Sequence, residues 1–481
     1  MVRSLSLAAA IAGTMVIVIT CLSLYAPFAR DFFVLDDFIW LHAAGTPDTA
    51  QFVRDATGFP EATAYTVPTP FWRPLIDAYF FLTWRLFGLN PMPYHLAAIG
   101  IHAANALLLV LLVRRLTGSR LVSFLIGFLW AIQPAYDYAV VWISEATELI
   151  ATFWYLLTLV LFVAYLHGDR RRWPLAAGAL VSMTLALLAK QSSITIPVLL
   201  VLLALVHATP RGWREGFRLS RLLSPFIFVA IIYGLFLFQN DYRTSADAGM
   251  YAAGPHALAN IWDYLLRLTW PFVTPGEHIE SVTAAAAAVL FLALGCLALV
   301  FRRLLLGFAF LWVLIALLPY SLFPAGTESR YLYLAAVPFT LFLVEAVRQA
   351  LALVRPAPWR IAGAALLLVA LVPLSILLAQ ETRGRQAWIH QQSAAYHQVF
   401  TDVPDLCGAL PDGARLAVVG GPMLDLFGES TRMALNLHYP RVQIERLAQP
   451  DAGMQPAGCA VHFHNGEYQR LPNGQNIIQD R

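Results

Sequence analysis

Residues 101–132, IHAANALLLVLLVRRLTGSRLVSFLIGFLWAI, indicate the fold class. They contain the end of one apolar run, 94–113, and the start of another, 120–138, joined by a turn that carries Arg114 and Arg115. An apolar run of about 17 to 25 residues is long enough to cross the hydrocarbon core of a bilayer as a helix. Arginines in a short loop keep that loop on the cytoplasmic side. The stretch therefore predicts two membrane-spanning helices that are joined in the cytoplasm.

The composition of the whole chain agrees with a lipid environment. Of the 481 residues, 59% are hydrophobic and 13% are charged, whereas a soluble domain has about a quarter of its residues charged. The formal net charge is only +3, and the basic residues form short clusters between apolar runs. Because no basic face is present, the sequence gives no support for nucleic-acid binding.

Further apolar runs of spanning length follow the same pattern. We predict about eleven spans, near residues 5–27, 94–113, 120–138, 145–167, 173–190, 193–209, 221–239, 281–301, 304–322, 330–350 and 360–380. The arginine clusters between them all fall on one side, at residues 114–115, 170–172, 211–221, 302–303 and 348–360. This bias predicts a cytoplasmic N-terminus and an extracytoplasmic C-terminus. The first run has no small-x-small cleavage site after it, so we predict that it is retained as an anchor.

The loops on the predicted outer face are substantial. They comprise residues 28–93, 134–144 and 240–280. Two segments within or next to them, 71–88 and 256–272, have apolar residues at helical spacing, which predicts amphipathic helices in the membrane interface. Most of the distinctive polar residues lie on this side. The sequence therefore favours a site at the outer leaflet.

The tail differs in kind from the rest of the chain. We predict a transmembrane domain over residues 1–380 and a small extracytoplasmic α/β domain over 381–481. In the tail, RLAVVGG and VQIERL have strand-like patterns, and a helix is predicted between them. Cys407 and Cys459 both lie in this exported part, where the compartment allows them to form a disulfide or to remain free.

Five stretches of the sequence resemble a known family. They are DDFIWL (36–41), the stretch 71–109, QPAYDYAVVWISEATELIA (133–151), LAKQSSITIPVLL (188–200) and ESRYLYLAAVPF (328–339). Together they resemble the GT-C superfamily of polytopic glycosyltransferases. The likeness is greatest to the membrane part of the transmembrane O-mannosyltransferases that carry tetratricopeptide repeats, and to related bacterial proteins.

The resemblance implies a fold, a location and an activity. The fold is an all-α polytopic membrane protein with about eleven transmembrane helices, outer-face interfacial helices and, in this chain, the small C-terminal α/β domain. The location is the bacterial inner membrane. The activity is transfer of a sugar from a polyprenyl-phosphate lipid to a protein, glycan or lipid acceptor at the extracytoplasmic face.

Asp36 and Asp37 are the candidate catalytic residues. Sugar transfer requires a base that takes the proton of the acceptor. Adjacent residues of a helix point about 100° apart, so one carboxylate would face the acceptor while the other supports the turn. The resemblance favours Asp36 as the base. The alternative is that the pair only solvates the end of the first span.

Lys190, Arg330 and Arg243 are the candidates for binding the phosphate of the donor. Lys190 is the single lysine of the chain, and it lies at the outer end of a span, where the positive-inside tendency disfavours a cation. The guanidinium of an arginine can grip phosphate oxygens with two donors. The alternative for each residue is a structural ion pair.

Three acidic residues lie close together in the sequence, Asp137, Glu145 and Glu148. Glu145 and Glu148 are three positions apart and would share one face of a helix. They can bind acceptor hydroxyls, or they can hold a divalent metal together with Asp36.

Two other classes of function stay open from the sequence. A lipid-linked sugar flippase or another transporter is also polytopic, although such proteins usually place ionisable residues near mid-membrane. A polysaccharide polymerase, a ligase or an inactive scaffold would share the lipid substrate without this base.

Overall fold

The computed structural model describes most of the chain. The described residues are 2–45, 49–50, 71–136, 138–167, 173–207, 213–239, 249, 251–272, 281–420, 429–447, 458–464 and 466–471. Two candidate site residues, Asp137 and Arg243, lie outside them.

Helices dominate the described part of the chain. In chain order they are α1 (Val2–Tyr25), α2 (Asp37–Ala44), α3 (Pro74–Phe87), α4 (Met92–Thr117), α5 (Arg120–Ala131), α6 (Ala146–Leu166), α7 (Trp173–Ala189), α8 (Ile196–His207), α9 (Trp213–Gln239), α10 (His256–Thr269), α11 (Val282–Val300), α12 (Leu304–Ser321), α13 (Leu332–Leu353), α14 (Ala357–Arg385), α15 (Ala387–Cys407) and α16 (Glu429–Asn436). Short 3₁₀ turns precede α6 at Ile143–Glu145, α8 at Gln191–Thr195 and α13 at Ser329–Tyr331.

The prediction of a polytopic helical protein is confirmed. Within the described residues, eight helical segments are long and apolar enough to cross a membrane, and three more are apolar but shorter. Each predicted apolar run coincides with one of these helices. The number of actual crossings stays a prediction.

The predicted interfacial helices are present as α3 and α10. Helix α3 packs against α2, the short helix that begins at Asp37. Their contact includes a stack of the Trp40 and Phe80 rings at 5.2 Å. Helix α10 packs against α11 and α12. Both short helices thus lie directly on other helices of the described chain, and α3 supports the helix that begins beside Asp36.

The C-terminal part contains a small sheet, as the sequence predicts. Its strands are β1 (Arg415–Val419), β2 (Gln443–Leu447), β3 (Cys459–His464) and β4 (Glu467–Arg470), in the order β2-β1-β3-β4. Strand β1 pairs in parallel with β2 and β3, and β4 pairs with β3 in the antiparallel sense. The sequence pattern indicates β1 and β2 but not β3 or β4.

A disulfide ties this sheet to the preceding helix. Cys407, the last residue of α15, is bonded to Cys459, the first residue of β3, with a Cα–Cα distance of 5.7 Å. Of the other two cysteines, Cys21 is buried and Cys296 is exposed.

Candidate functional site

The two neighbouring aspartates have opposite environments. Asp36 is the N-cap residue of α2 and is exposed, whereas Asp37 is the first residue of the helix and only 1% exposed. Leu35, just before them, has φ of +47°. The turn at the start of α2 therefore leaves one carboxylate accessible and buries the other.

Asp37 is held by three hydrogen bonds. Its Oδ2 accepts from the backbone N–H of Val34 at 2.9 Å, and its Oδ1 accepts from the backbone N–H of Ser144 at 2.7 Å and from the Ser144 hydroxyl. Burial raises the pKa of Asp37 to about 7, while the hydrogen bonds from Ser144 and Val34 oppose this rise. Asp37 thus joins the turn that carries Asp36 to the segment before α6.

The two candidate phosphate-binding cations that the structure describes are both in ion pairs. Lys190 is bonded to Glu148, and Arg330 Nη1 lies 3.1 Å from Glu145 Oε1. Both cations thus form the ion pairs that the sequence leaves open as the alternative to phosphate binding. The physical reason is burial, because Lys190 is 5% and Glu148 1% exposed, and an unpaired charge at such a place is costly.

Aromatic rings surround both cations. The Lys190 Nζ lies 4.9 Å from the centre of the Tyr331 ring and 5.4 Å from that of Tyr320. The Arg330 Cζ lies 4.5 Å from the centre of the Trp142 ring. Cations over ring faces gain electrostatic attraction that hydration would otherwise supply. The rings and the glutamates therefore hold both side chains at fixed positions.

A single segment, 142–148, connects the aspartate pair to the cations. Ser144 binds Asp37, Glu145 binds Arg330, and Glu148 binds Lys190. The segment passes through the 3₁₀ turn Ile143–Glu145 into the first turn of α6. Residues that are far apart in the sequence are therefore brought together at one end of the bundle.

A cavity of about 500 Å³ opens beside Lys190. Polar side chains of its lining contact one another and form one cluster, here called the polar end, which comprises Arg73, Lys190, Gln191, Ser192, Tyr320 and Tyr331. Apolar side chains line the remainder, among them Phe71, Ile194, Val198, Leu237, Ile315 and Leu318. A cavity of this kind can accept a molecule with a charged head and an apolar body.

Arg73 is the functional candidate that sequence reasoning missed. Its Nε donates to Gln191 Oε1 at 3.1 Å, and its Cζ lies 4.5 Å from the centre of the Phe71 ring. Among the described residues, its hydrogen-bond partner is therefore a neutral amide rather than a carboxylate. The motif FWRP at 71–74 is the signal that could have found it, because the arginine stands beside aromatic residues in a segment that the sequence predicts on the outer face.

The predicted sharing of a metal by Asp137, Glu145, Glu148 and Asp36 stays a prediction, because Asp137 lies outside the described residues. Across the part of the chain that is described, no group of three or more His, Cys, Asp or Glu side chains is arranged to hold a metal ion. Both glutamates instead bind cationic side chains.

Comparison with curated proteins gives relatives over part of the chain. The chain is 31% identical over 125 residues to the protein O-mannosyl-transferase Tmtc1 of Drosophila melanogaster. This match covers 26% of this chain and 14% of that protein. It is 27% identical over 128 residues to TMTC2 of Mus musculus, covering 26% and 15%. The matched part is thus about a seventh of the length of these relatives. No family model matches the chain.

Comparison with solved structures covers nearly the whole chain. ArnT from Cupriavidus metallidurans, in a crystal structure with bound undecaprenyl phosphate, has a TM-score of 0.53 at 14% identity and matches 95% of this chain and 93% of its own. The oligosaccharyltransferase of Archaeoglobus fulgidus, tethered to an acceptor peptide, has a TM-score of 0.51 at 13% identity, over 92% of this chain and 64% of its own.

Proposed function

The chain has the fold of the GT-C polytopic glycosyltransferases, and we propose that it transfers a sugar from a polyprenyl-phosphate lipid to an acceptor at the extracytoplasmic face. Asp36 acts as the general base. The observation that carries the proposal is the segment 142–148, which links the aspartate turn to Arg330 and Lys190 beside an apolar cavity.

The donor fits the cavity by its chemistry. Its apolar chain would lie against the apolar lining, and its phosphate would lie at the polar end, near Lys190 and Arg73. ArnT, which shares the fold, has undecaprenyl phosphate bound in its crystal structure, so a lipid phosphate is compatible with this architecture. Arg330 is partly buried and paired with Glu145, and it would hold the segment 142–148 in place.

In the proposed step, the Asp36 carboxylate takes the proton of the acceptor hydroxyl. The acceptor oxygen forms a bond with the anomeric carbon of the sugar, and the bond between that carbon and the phosphate oxygen breaks. The polyprenyl phosphate leaves with the bonding electrons. Cations at the polar end of the cavity stabilise the charge that develops on it.

Purified protein tests the proposal directly. We expect it to transfer sugar from one member of a panel of radiolabelled polyprenyl-phosphate monosaccharides, either to an added acceptor or to water. Asp36→Asn should lower the rate about 10²- to 10⁴-fold, which is the usual contribution of a general base, while binding of the lipid persists. Asp412→Asn, at an exposed carboxylate of the C-terminal region, serves as the matched control.

Two outcomes would contradict the proposal. Movement of the labelled lipid between leaflets without chemical change would indicate a flippase. Full transfer activity in Asp36→Asn would show that this carboxylate only solvates the start of α2.

A further inference from the structure

The turn that presents Asp36 is unusual in its backbone. Leu35 has φ of +47°, in a region that residues other than glycine, asparagine and aspartate rarely adopt. Such a conformation persists only where surrounding contacts determine it. Asp37 supplies one such contact through the N–H of Val34. Further contacts come from helix α15, near the C-terminus.

Helix α15 contacts the segment before this turn. The backbone N–H of Phe32 donates to the Ser393 hydroxyl, and His390 Nδ1 lies 2.8 Å from Asp31 Oδ1. The Phe32 ring centre lies 5.1 Å from that of Phe400. Residues 31 and 32 are therefore fixed by hydrogen bonding and ring packing to one face of α15.

The Ser393 contact and the ring packing are shielded from water, whereas His390 reaches Asp31 from the exposed side of α15. Ser393 is 5% and Asp31 6% exposed, and Phe38 of α2 packs fully buried against Tyr396 of α15 at a ring distance of 5.3 Å. Such a contact behaves as part of a core. A shift of α15 would therefore move the aspartate turn with it.

Helix α16 packs against α2 as well. The disulfide between Cys407 and Cys459 joins the end of α15 to β3 across 52 residues, and this interval contains β1, α16 and β2. Both C-terminal elements that contact the aspartate segment are thus held in one cross-linked unit.

We propose that Ser393 and His390 are positioning residues for Asp36, so that the C-terminal helix α15 is a working part of the transfer site. This inference rests on the proposed function. The two side chains do not contact the donor cavity, whose lining comes from other segments. They act on the geometry of the base and hence on kcat, not on donor binding.

The test is steady-state kinetics of Ser393→Ala in purified protein. Small displacements of a reacting group cost up to about 100-fold in rate, and we expect kcat to fall about tenfold or more. The KM for the donor and the Kd for polyprenyl phosphate should stay at wild-type values. Ser393→Thr, which keeps the hydroxyl, should restore most of the rate. Gln391→Ala, on the exposed side of α15, is the matched control.

A second pair of variants tests His390 independently. His390→Ala should lower kcat, and His390→Asn, whose amide can donate to Asp31 from a similar position, should recover it. Wild-type kcat in both Ser393→Ala and His390→Ala would overturn the inference. So would a parallel loss of kcat, donor binding and thermal stability, because that pattern indicates a purely structural role.

The outcome for the wild-type protein separates this inference from the proposed function. If the wild type transfers no sugar from any lipid of the panel, the proposed function fails and the inference fails with it. If the wild type is active and both Ser393→Ala and His390→Ala match it, only the inference fails.

Discussion

Replacing Lys190 by methionine tests whether its charge serves the donor or only Glu148. The two side chains form a buried ion pair. Removing one partner of such a pair costs about 3 to 5 kcal/mol, whereas replacing both by neutral residues is often harmless. A loss of activity in Lys190→Met alone would therefore not reveal its cause. The informative protein is the double variant Lys190→Met/Glu148→Gln, in which Tyr320 can still donate to the amide oxygen.

Stability and donor affinity should respond differently to the second substitution. We expect Lys190→Met to be destabilised by about 3 to 5 kcal/mol and the double variant to return to within about 1 kcal/mol of wild type. A hydrogen bond from a charged group contributes about 1.5 to 3 kcal/mol. The double variant should therefore bind polyprenyl phosphate about 10- to 150-fold more weakly than wild type.

Two measurements on detergent-purified protein check this expectation, thermal unfolding and binding of radiolabelled polyprenyl phosphate. The control is Arg348→Met/Glu345→Gln, an ion pair with a Nε–Oε2 distance of 2.7 Å in the second half of α13, away from the end that begins beside Arg330. It should leave lipid binding unchanged. Wild-type affinity in the Lys190→Met/Glu148→Gln protein would refute the role of Lys190 in donor binding.

Three further predictions concern pH, topology and oxidation. Burial raises the pKa of Asp37 to about 7, so its protonated fraction grows as pH falls through 7. Because a protonated carboxyl cannot accept all three hydrogen bonds, the rate of transfer should fall with pH over this range. Asp37→Asn should abolish this pH dependence and lower the overall rate. A reporter fused after residue 381 should be active only outside the cytoplasm, and one at residue 212 only inside; the reverse would overturn the orientation. Cys407 and Cys459 should resist thiol labelling in native membranes until they are reduced, and free labelling of both would exclude the disulfide in the cell. Replacing both by serine should lower the free energy of unfolding by about 4 kcal/mol, because the cross-link restricts the unfolded chain.

The helices of the bundle could be predicted from the sequence because lipid imposes a strict length and composition on them. Where prediction and structure differ, polar residues explain the difference. The predicted run 360–380 is shorter than the helix that contains it, α14, Ala357–Arg385. The helix is longer because it continues into polar residues that a hydropathy pattern does not include. Strands β3 and β4 were missed for a related reason. These two strands, CAVHFH and EYQR, are short and partly polar. They are strands because they pair with each other, and a hydropathy pattern does not report pairing.

The charged residues of the site could be predicted from the sequence, but which of them contact each other could not. Glu145, Glu148, Lys190 and Arg330 all stand out in the sequence as charges near the ends of apolar runs. Which glutamate contacts which cation depends on how α6, α7 and α13 pack, and no local pattern encodes that packing. The same limit applies to Ser144, whose hydrogen bonds to Asp37 follow from the meeting of two segments that are 107 residues apart.

The charge balance of the site explains why Arg73 matters to the proposed mechanism. Lys190 and Arg330 are each matched by a glutamate, so these two pairs together carry no net charge. Within the described part of the chain, Arg73 binds the neutral amide of Gln191 and lines the same cavity, so its charge would be available to an incoming phosphate without the loss of an ion pair among these residues. Lys190 can contribute only if its ammonium group donates hydrogen bonds to Glu148 and to the phosphate at the same time. In the proposed complex, Arg73 would therefore attract the phosphate, and the paired cations would fix its position relative to Asp36.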